Sequence, residues 1–389
     1  MTGRAVRGRT VSRRSFLKGG LGLGAVGALG LTGCSFASSA TGGREDLGGT
    51  TQLRMLNWTD YIDVSDDKGS IGTIDRVRAD LGLQVTYQED YTDSYEGFQL
   101  ILDRAVNKEV PDYDLVVPVN WRAAQMVQSG WAEPIPLELV TNHVNLDPAF
   151  MTNTWDRGSR FQMPWQAGIT GIAYDPKLTG RALTSINDLF DVRLKGRAGI
   201  VGEMRESVGL AMLANGDDPS RPTPATAQAG LNKIKEAIQT GQVIVTYEDF
   251  VDKLKSGELA AAMAWSGDTA LLQADRPDIE FLIPSEGAVQ WFDAMVIPKR
   301  AANVAAAGRF MNFVYDPANA ARITAYVGYI SPVLGVQDAL RASGPDGAAL
   351  AKNPVLFPDA AARNRLFTWG GLDAETETRL DDEFLRLVP

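Results

Sequence analysis

Tryptophans and tyrosines set beside carboxylates carry the most specific chemistry in this sequence. Trp58 and Tyr61 follow an apolar segment, Trp121 follows the run Tyr113–Pro118, Trp265 closes the run that begins at Leu259, and Trp291 lies in or before another. Acids accompany them: Asp60 beside Trp58, Asp268 near Trp265, Asp293 beside Trp291, and Glu203 and Glu206 after Arg197–Val201. An aromatic face attracts an organic cation by about 0.5–2 kcal/mol, and a carboxylate adds a charge-assisted hydrogen bond. Taken singly, each aromatic fits core packing and each acid fits a solvated loop or a helix N-terminus. Repeated at four strand ends, the pairing favours a cage for an organic ammonium.

Other chemistries are poorly supplied. The chain has a single His, His143, and a single Cys, Cys34. A nucleophilic triad would have to use His143, and a Cys/His zinc site cannot be assembled. No catalytic residue, metal or cofactor is expected, and no disulfide can form within one chain. With 38 basic against 48 acidic residues the net charge is -10, which implies no basic surface for nucleic acid.

The elements that position these residues alternate between strand and helix. Gln52–Trp58 reads as a strand, Ser70–Leu81 as a helix with Ile71, Ile74, Val77 and Leu81 at helical spacing, and Leu83–Tyr87 as a strand. Tyr95–Val106 is a helix, Tyr113–Pro118 a buried strand, and Trp121–Ser129 a helix closed by Gly130. This alternation predicts a parallel sheet with helices on both faces. Next, Arg160–Trp165 and Thr170–Tyr174 read as two strands across a glycine-containing break, and Ser185–Phe190 as a capped short helix. Strands at Arg197–Val201, Val243–Tyr247, Asp278–Pro284 and Gln290–Pro298 alternate with helices at Ala225–Gln239, Phe250–Lys255 and Ala301–Val314. Two α/β units result. For 389 residues two lobes are the default, and in open α/β sheets ligands bind outside the carboxyl ends of the strands.

The first 34 residues belong to another class. They hold Arg4, Arg7, Arg9, Arg13, Arg14 and Lys18 with no acid, then the apolar run Gly19–Leu31, then Leu31-Thr32-Gly33-Cys34. This is the layout of a secretory signal, with an apolar region too short to span a bilayer. Ser12–Lys18 resembles a twin-arginine export signal, and Leu31–Cys34 resembles a lipobox whose Cys34 is lipidated. Gly22–Gly27 matches G-x-G-x-x-G but follows no strand, so no dinucleotide site is expected. Removing residues 1–33 leaves 32 basic against 48 acidic residues, a net charge of -16. Residues 34–50 read as a flexible tether.

The body, residues 51–389, resembles the spermidine/putrescine substrate-binding family of bacterial ABC importers. The segments that carry the likeness are Leu56–Tyr61, Tyr113–Pro118, Asn145–Pro148, Met163–Trp165, Met263–Asp268, Pro284–Ala288, Trp291–Asp293 and Val327–Pro332. Each is moderately specific, and their order and spacing strengthen them together. The resemblance implies a two-lobed α/β periplasmic-binding-protein fold of type II, each lobe a sheet flanked by helices, with a hinge between. It implies a ligand cage of Trp58, Asp60, Tyr61, Trp121, Glu206, Trp265, Asp268, Trp291, Asp293 and Tyr329. In it Glu206 would hold one amine, Trp265 face the methylene chain, Trp291 and Asp293 grip the other end, and Tyr329 close the site. Two positions depart from the family: Val119 stands where many relatives have Ser, and Gly202 where some have Asp.

The expected organisation is a signal peptide at 1–33, a tether at 34–50, one lobe of 51–166 with 292–336, and a second of 167–291 with 337–389. The expected partners are a polyamine and an ABC permease. The chain is expected to be an exported monomer, lipid-anchored through Cys34 at the outer face of the cytoplasmic membrane, with no nucleic acid bound. Two other readings stand beside this one. A binding protein for another cationic solute or a sugar would share the fold, and an exported glycosidase could use Glu203/Glu206 or Asp268/Asp293 as its carboxylate pair.

Overall fold

The computed structural model describes residues 51–388 apart from 67, 68, 92, 93, 152 and 154. The signal segment, the tether and Cys34 lie outside the described residues.

Strand β1 (Gln52–Trp58) begins the sheet. Its alternation buries side chains on both faces: Leu53 and Met55 join one apolar cluster and Leu56 another. Helix α1 (Thr73–Leu81) leads to β2 (Gln84–Tyr91), which pairs parallel with β1. Helix α2 (Ser94–Val106) then leads to β3, which pairs parallel on the other side of β1. Only Leu115–Val116 forms a regular strand here; Pro118 has no amide hydrogen to extend the ladder. Asp114, fully buried at its head, ties β3 to β1 through the guanidinium of Arg54 (2.8 Å). Helix α3 (Asn120–Gln128) follows and ends before Gly130, whose φ of 71° lies in the left-handed region.

Strand β4 (Gln162–Tyr174) corrects the expectation of two strands across a break. It is one continuous strand, buried along its length, with a register shift between Pro164 and Ala167. Gly168 stays in register opposite Trp291 rather than turning the chain. Its missing side chain is used differently, because a Cβ there would lie 2.3 Å from the Trp291 ring.

Strand β5 (Ala198–Val201), helix α4 (Met204–Ala214), helix α5 (Pro224–Gln239), strand β6 (Val243–Thr246), helix α6 (Phe250–Ser256) and strand β7 (Ala261–Trp265) come next. Both β6 and β7 pair parallel with β5. Helix α7 (Ser266–Asp275) and strand β8 (Glu280–Leu282) precede β9 (Ala288–Val296). Helices α8 (Val304–Val314), α9 (Pro317–Val327), α10 (Val336–Ala342) and α11 (Pro345–Leu350) follow, then β10 (Leu366–Phe367) and α12 (Ala374–Leu385). Helix α10 packs on α9 and α11 on α10, whereas α12 packs on α4 and α5.

The strands form one path, β2-β1-β3-β9-β4-β7-β5-β6, with β10 on β9 and β8 on β4. The parallel expectation holds for β1–β2–β3 and β5–β6–β7, but β4 and β9 run antiparallel to each other and to their outer neighbours β7 and β3. Near its start β4 pairs only with β9; from Thr170 onward it pairs with β7 and then β8. A third segment crosses here, since Ala167 and Ile330 exchange backbone hydrogen bonds of 2.8 and 2.9 Å. The parallel strands thus end towards the middle of the molecule, where β4, β9 and the 328–331 segment cross.

Candidate functional site

One cavity opens at that crossing. It is lined by Trp58, Tyr61, Ser94, Val119, Trp121, Glu203, Glu206, Glu248, Trp265, Trp291, Asp293 and Tyr329, and holds about 470 Å³ free of protein atoms, its open mouth included. Eight of the ten residues expected to form the cage therefore share one wall system. Trp58 stands at the end of β1, and the left-handed backbone of Asp60 (φ 53°) turns the chain so that Tyr61 returns to the same cavity. Trp121 lies in the first turn of α3, and Trp265 ends β7. Trp291 is placed differently from the strand-end pattern, in the middle of β9.

The aromatic walls are held from behind. Tyr329 packs edge-on to Tyr61 and tilted against Trp291, with centroids 5.4 Å apart in both pairs. Trp291 lies over Gly168, and Tyr329 over Gly267, where a Cβ would come within 2.5 Å of the ring. The Tyr329 hydroxyl donates to Asp268 at 2.7 Å. Behind Trp121 stands the Arg205 guanidinium, 5.8 Å from the ring centroid. Arg205 is buried and held by Asp381 (2.8 Å) and Glu377 (2.5 Å) of α12, and Arg122 of α3 lies 3.5 Å from the same Asp381.

Among the described residues, four acids line the cavity and no Lys, Arg or His does so. Glu206 sits in the first turn of α4, a helix buried from Met204 to Leu213. Its Oε2 accepts hydrogen bonds from the Thr170 hydroxyl and from Trp265 Nε1, the latter at 2.7 Å. Burial is the main force on this carboxyl, and the negative charges of Glu203 and Asp293 reinforce it, pushing its pKa up to about 8. The two hydrogen bonds and the helix N-terminus oppose the rise and lose to it. Asp293 accepts the Tyr61 hydroxyl at 2.8 Å. Glu203 accepts both the amide (2.8 Å) and the hydroxyl (2.7 Å) of Ser94, the first residue of α2. It thereby joins the end of β5 to a helix from the other side of the cavity.

Two expected cage residues do not line this cavity. Asp60 is buried in the turn after β1. Asp268 is buried in the first turn of α7 and bonded to Tyr329, so it orients that ring. Conversely, Ser94, Val119, Glu203 and Glu248 line it without having been assigned to the cage. Glu248 follows the end of β6, so the strand-end rule that singled out Glu203 and Glu206 would also have found it. Ser94 carried no such signal, because a serine at a helix start reads as a local cap.

A row of indole and phenol faces interleaved with carboxylates suits an elongated organic cation. Each ammonium finds an acceptor, and the hydrocarbon between finds apolar rings. Comparison with known proteins agrees in class. The chain is 26% identical over 313 residues to the spermidine/putrescine-binding periplasmic protein of Escherichia coli, covering 79% of this chain and 83% of that one. It is 26% identical over 340 residues to the putrescine-binding periplasmic protein of the same organism, covering 81% and 85%. A solved structure described as a putative spermidine/putrescine ABC transporter from Listeria monocytogenes superposes with a TM-score of 0.75 at 26% identity, covering 87% of this chain and 99% of that one. These neighbours have the type II periplasmic-binding-protein fold, so the fold class expected from sequence holds. Residues 10–30 match a twin-arginine translocation signal. Residues 78–357 match the family of bacterial extracellular solute-binding proteins, and the chain belongs to that family.

Proposed function

We propose that this chain captures a polyamine, putrescine or spermidine, and presents it to the permease of an ABC importer. The carrying observation is the cavity itself: among the described residues, four carboxylates and six aromatic side chains line it and no basic residue does. A polyamine arrives charged, because its amines titrate near a lysine ammonium. Burying each charge unpaired costs several kcal/mol, so a cavity whose described charged lining is acidic selects cations over sugars and anions. Glu206 at one end and Asp293 at the other receive the ammonium groups, and the indoles of Trp58, Trp265 and Trp291 enclose the methylenes. Asp60 and Asp268 support the cage from behind. No bond is made or broken, so the protein is a carrier and no residue is catalytic.

The same reading covers motion and location. The crossing at β4, β9 and 328–331 supports a hinge between two lobes, with β1–β3 on one side and β5–β7 on the other. The stacking of α10 and α11 on α9 supports a chain return after α11 rather than at 336. Closure around the ligand is then the signal read by the permease. Cys34, at the end of the signal, carries a lipid that holds a monomeric body at the outer face of the cytoplasmic membrane. A calorimetric screen of the mature chain against putrescine, spermidine, spermine, choline and maltose tests the ligand class. Binding of a linear polyamine alone supports it, and binding of maltose or of no amine overturns it. Replacing Cys34→Ser should release the protein from membranes, and retention there would overturn the anchor.

A further inference from the structure

Thr170 is fully buried and sits where β4 exchanges neighbours, paired in register with Val289 of β9 and with Trp265 of β7. Its hydroxyl carries one proton and two lone pairs. Trp291 Nε1 donates to Thr170 Oγ1 at 3.0 Å. An indole N–H can only donate, so the hydroxyl accepts from Trp291, and its own proton goes to Glu206 Oε2. Trp265 Nε1 donates to that same oxygen. One hydroxyl, not itself among the cavity's lining residues, is thus bonded directly to Trp291 and Glu206 and, through Glu206, linked to Trp265.

We propose that Thr170 is the positioning residue of this cavity: it sets the spacing of the Trp265 and Trp291 faces and leaves Glu206 Oε1 as the oxygen offered to the ligand. Both donors occupy Oε2, so a ligand ammonium meets the remaining oxygen, and a proton held by Glu206 resides there too. Among the described residues, the charged groups that share the cavity lining with Glu206 are acidic: Glu203 and Asp293, which raise it, and Glu248. The adjacent Arg205 is engaged by Glu377 and Asp381. The position of Thr170 in the strand supports the role. From the junction of β4 with both β7 and β9, its hydroxyl bonds the Trp291 indole of β9 directly and the Trp265 indole of β7 through Glu206.

The ligand arm of the test rests on the polyamine reading, and a second arm does not. Thr170→Val keeps the shape but removes one acceptor and one donor, leaving the Trp291 N–H buried and unpaired. Putrescine affinity, measured by calorimetry, should fall about tenfold or more in Thr170→Val, while Thr170→Ser, which keeps the hydroxyl, should stay near wild type. With one donor fewer, Glu206 should hold its proton to higher pH. In the ligand-free protein, tryptophan fluorescence titrated against pH should show its Glu206-linked midpoint moving upward in Thr170→Val, unmoved in Thr170→Ser, and absent when Glu206→Gln is present. A purely structural threonine would not move that midpoint. Thr170→Cys, whose thiol is a weak donor, gives the same readouts if valine is not tolerated. Wild-type affinity and an unshifted midpoint in Thr170→Val, or a serine variant that behaves like the valine one, would overturn the assignment. If no polyamine binds wild type, the proposed ligand class fails while the ligand-free titration still decides the role of Thr170.

Discussion

Ligand affinity measured against pH reports on Glu206. In the unliganded cavity burial, aided by Glu203 and Asp293, raises this carboxyl to about 8, so at pH 7 about 0.9 of the molecules carry its proton. An ammonium placed against it reverses the electrostatic balance and favours the ionised form. Binding at pH 7 should then release close to one proton. The ligand amines, near the lysine value of about 10.4, stay charged throughout, so the pH dependence belongs to the protein. By linkage the affinity should rise about fifty-fold from pH 6 to pH 8 and less than about twofold from pH 8 to pH 9. Titration calorimetry in buffers of different ionisation enthalpy measures the proton release, and the same titrations across pH give the affinity profile. Glu206→Gln should flatten the profile and abolish the release, with an affinity below wild type at alkaline pH. A flat wild-type profile with no proton released would refute the reasoning. The sign for stability follows from the same shift. In the unliganded fold the contribution of Glu206 is fully present below its ordinary value of 4.5 and is lost as pH rises through about 8. Ligand-induced thermal shifts should accordingly be larger at pH 8 than at pH 6.

Two further outcomes can be checked directly. Asp293→Asn removes a buried carboxylate that also accepts the Tyr61 hydroxyl; polyamine affinity should fall by about 2–5 kcal/mol, read by calorimetry, and wild-type affinity would contradict the cage. Asp381→Asn removes the carboxylate shared by the buried Arg122 and Arg205 and leaves Arg205 held by Glu377. Denaturant unfolding should show about 3–5 kcal/mol of lost stability, together with weaker binding as the support behind Trp121 loosens.

Much of the site was legible because strand-end chemistry is local. A short apolar run ending in Trp58-Thr59-Asp60-Tyr61 or Trp265-Ser266-Gly267-Asp268 announces its own termination and displays aromatic and acidic groups there. The carboxyl ends of parallel strands meet in a cleft whatever the helices between them do. Trp58, Tyr61, Trp121, Glu206, Trp265, Trp291, Asp293 and Tyr329 do share one cavity. Local patterning failed where a residue's partner is remote. Gly168 reads as a break, and only the ring of Trp291, 123 positions away, explains why a continuous strand has a glycine there. The bond from Tyr329 to Asp268 spans 61 positions and that from Ser94 to Glu203 spans 109, separations over which side-chain periodicity carries no information.

The sequence by itself determined the class of ligand chemistry, the strand–helix alternation and the export signal, because each rests on residue types within a few positions of one another. Tertiary structure alone decided which acids face the cavity and which stand behind it, and in what protonation state. Asp268 and Glu206 are both buried acids in the first turn of a helix. One orients a tyrosine, and the other, desolvated beside Glu203 and Asp293, is raised to about 8. Charge in a protein interior is set by distance and by exclusion of water, and neither is written in the order of residues along the chain.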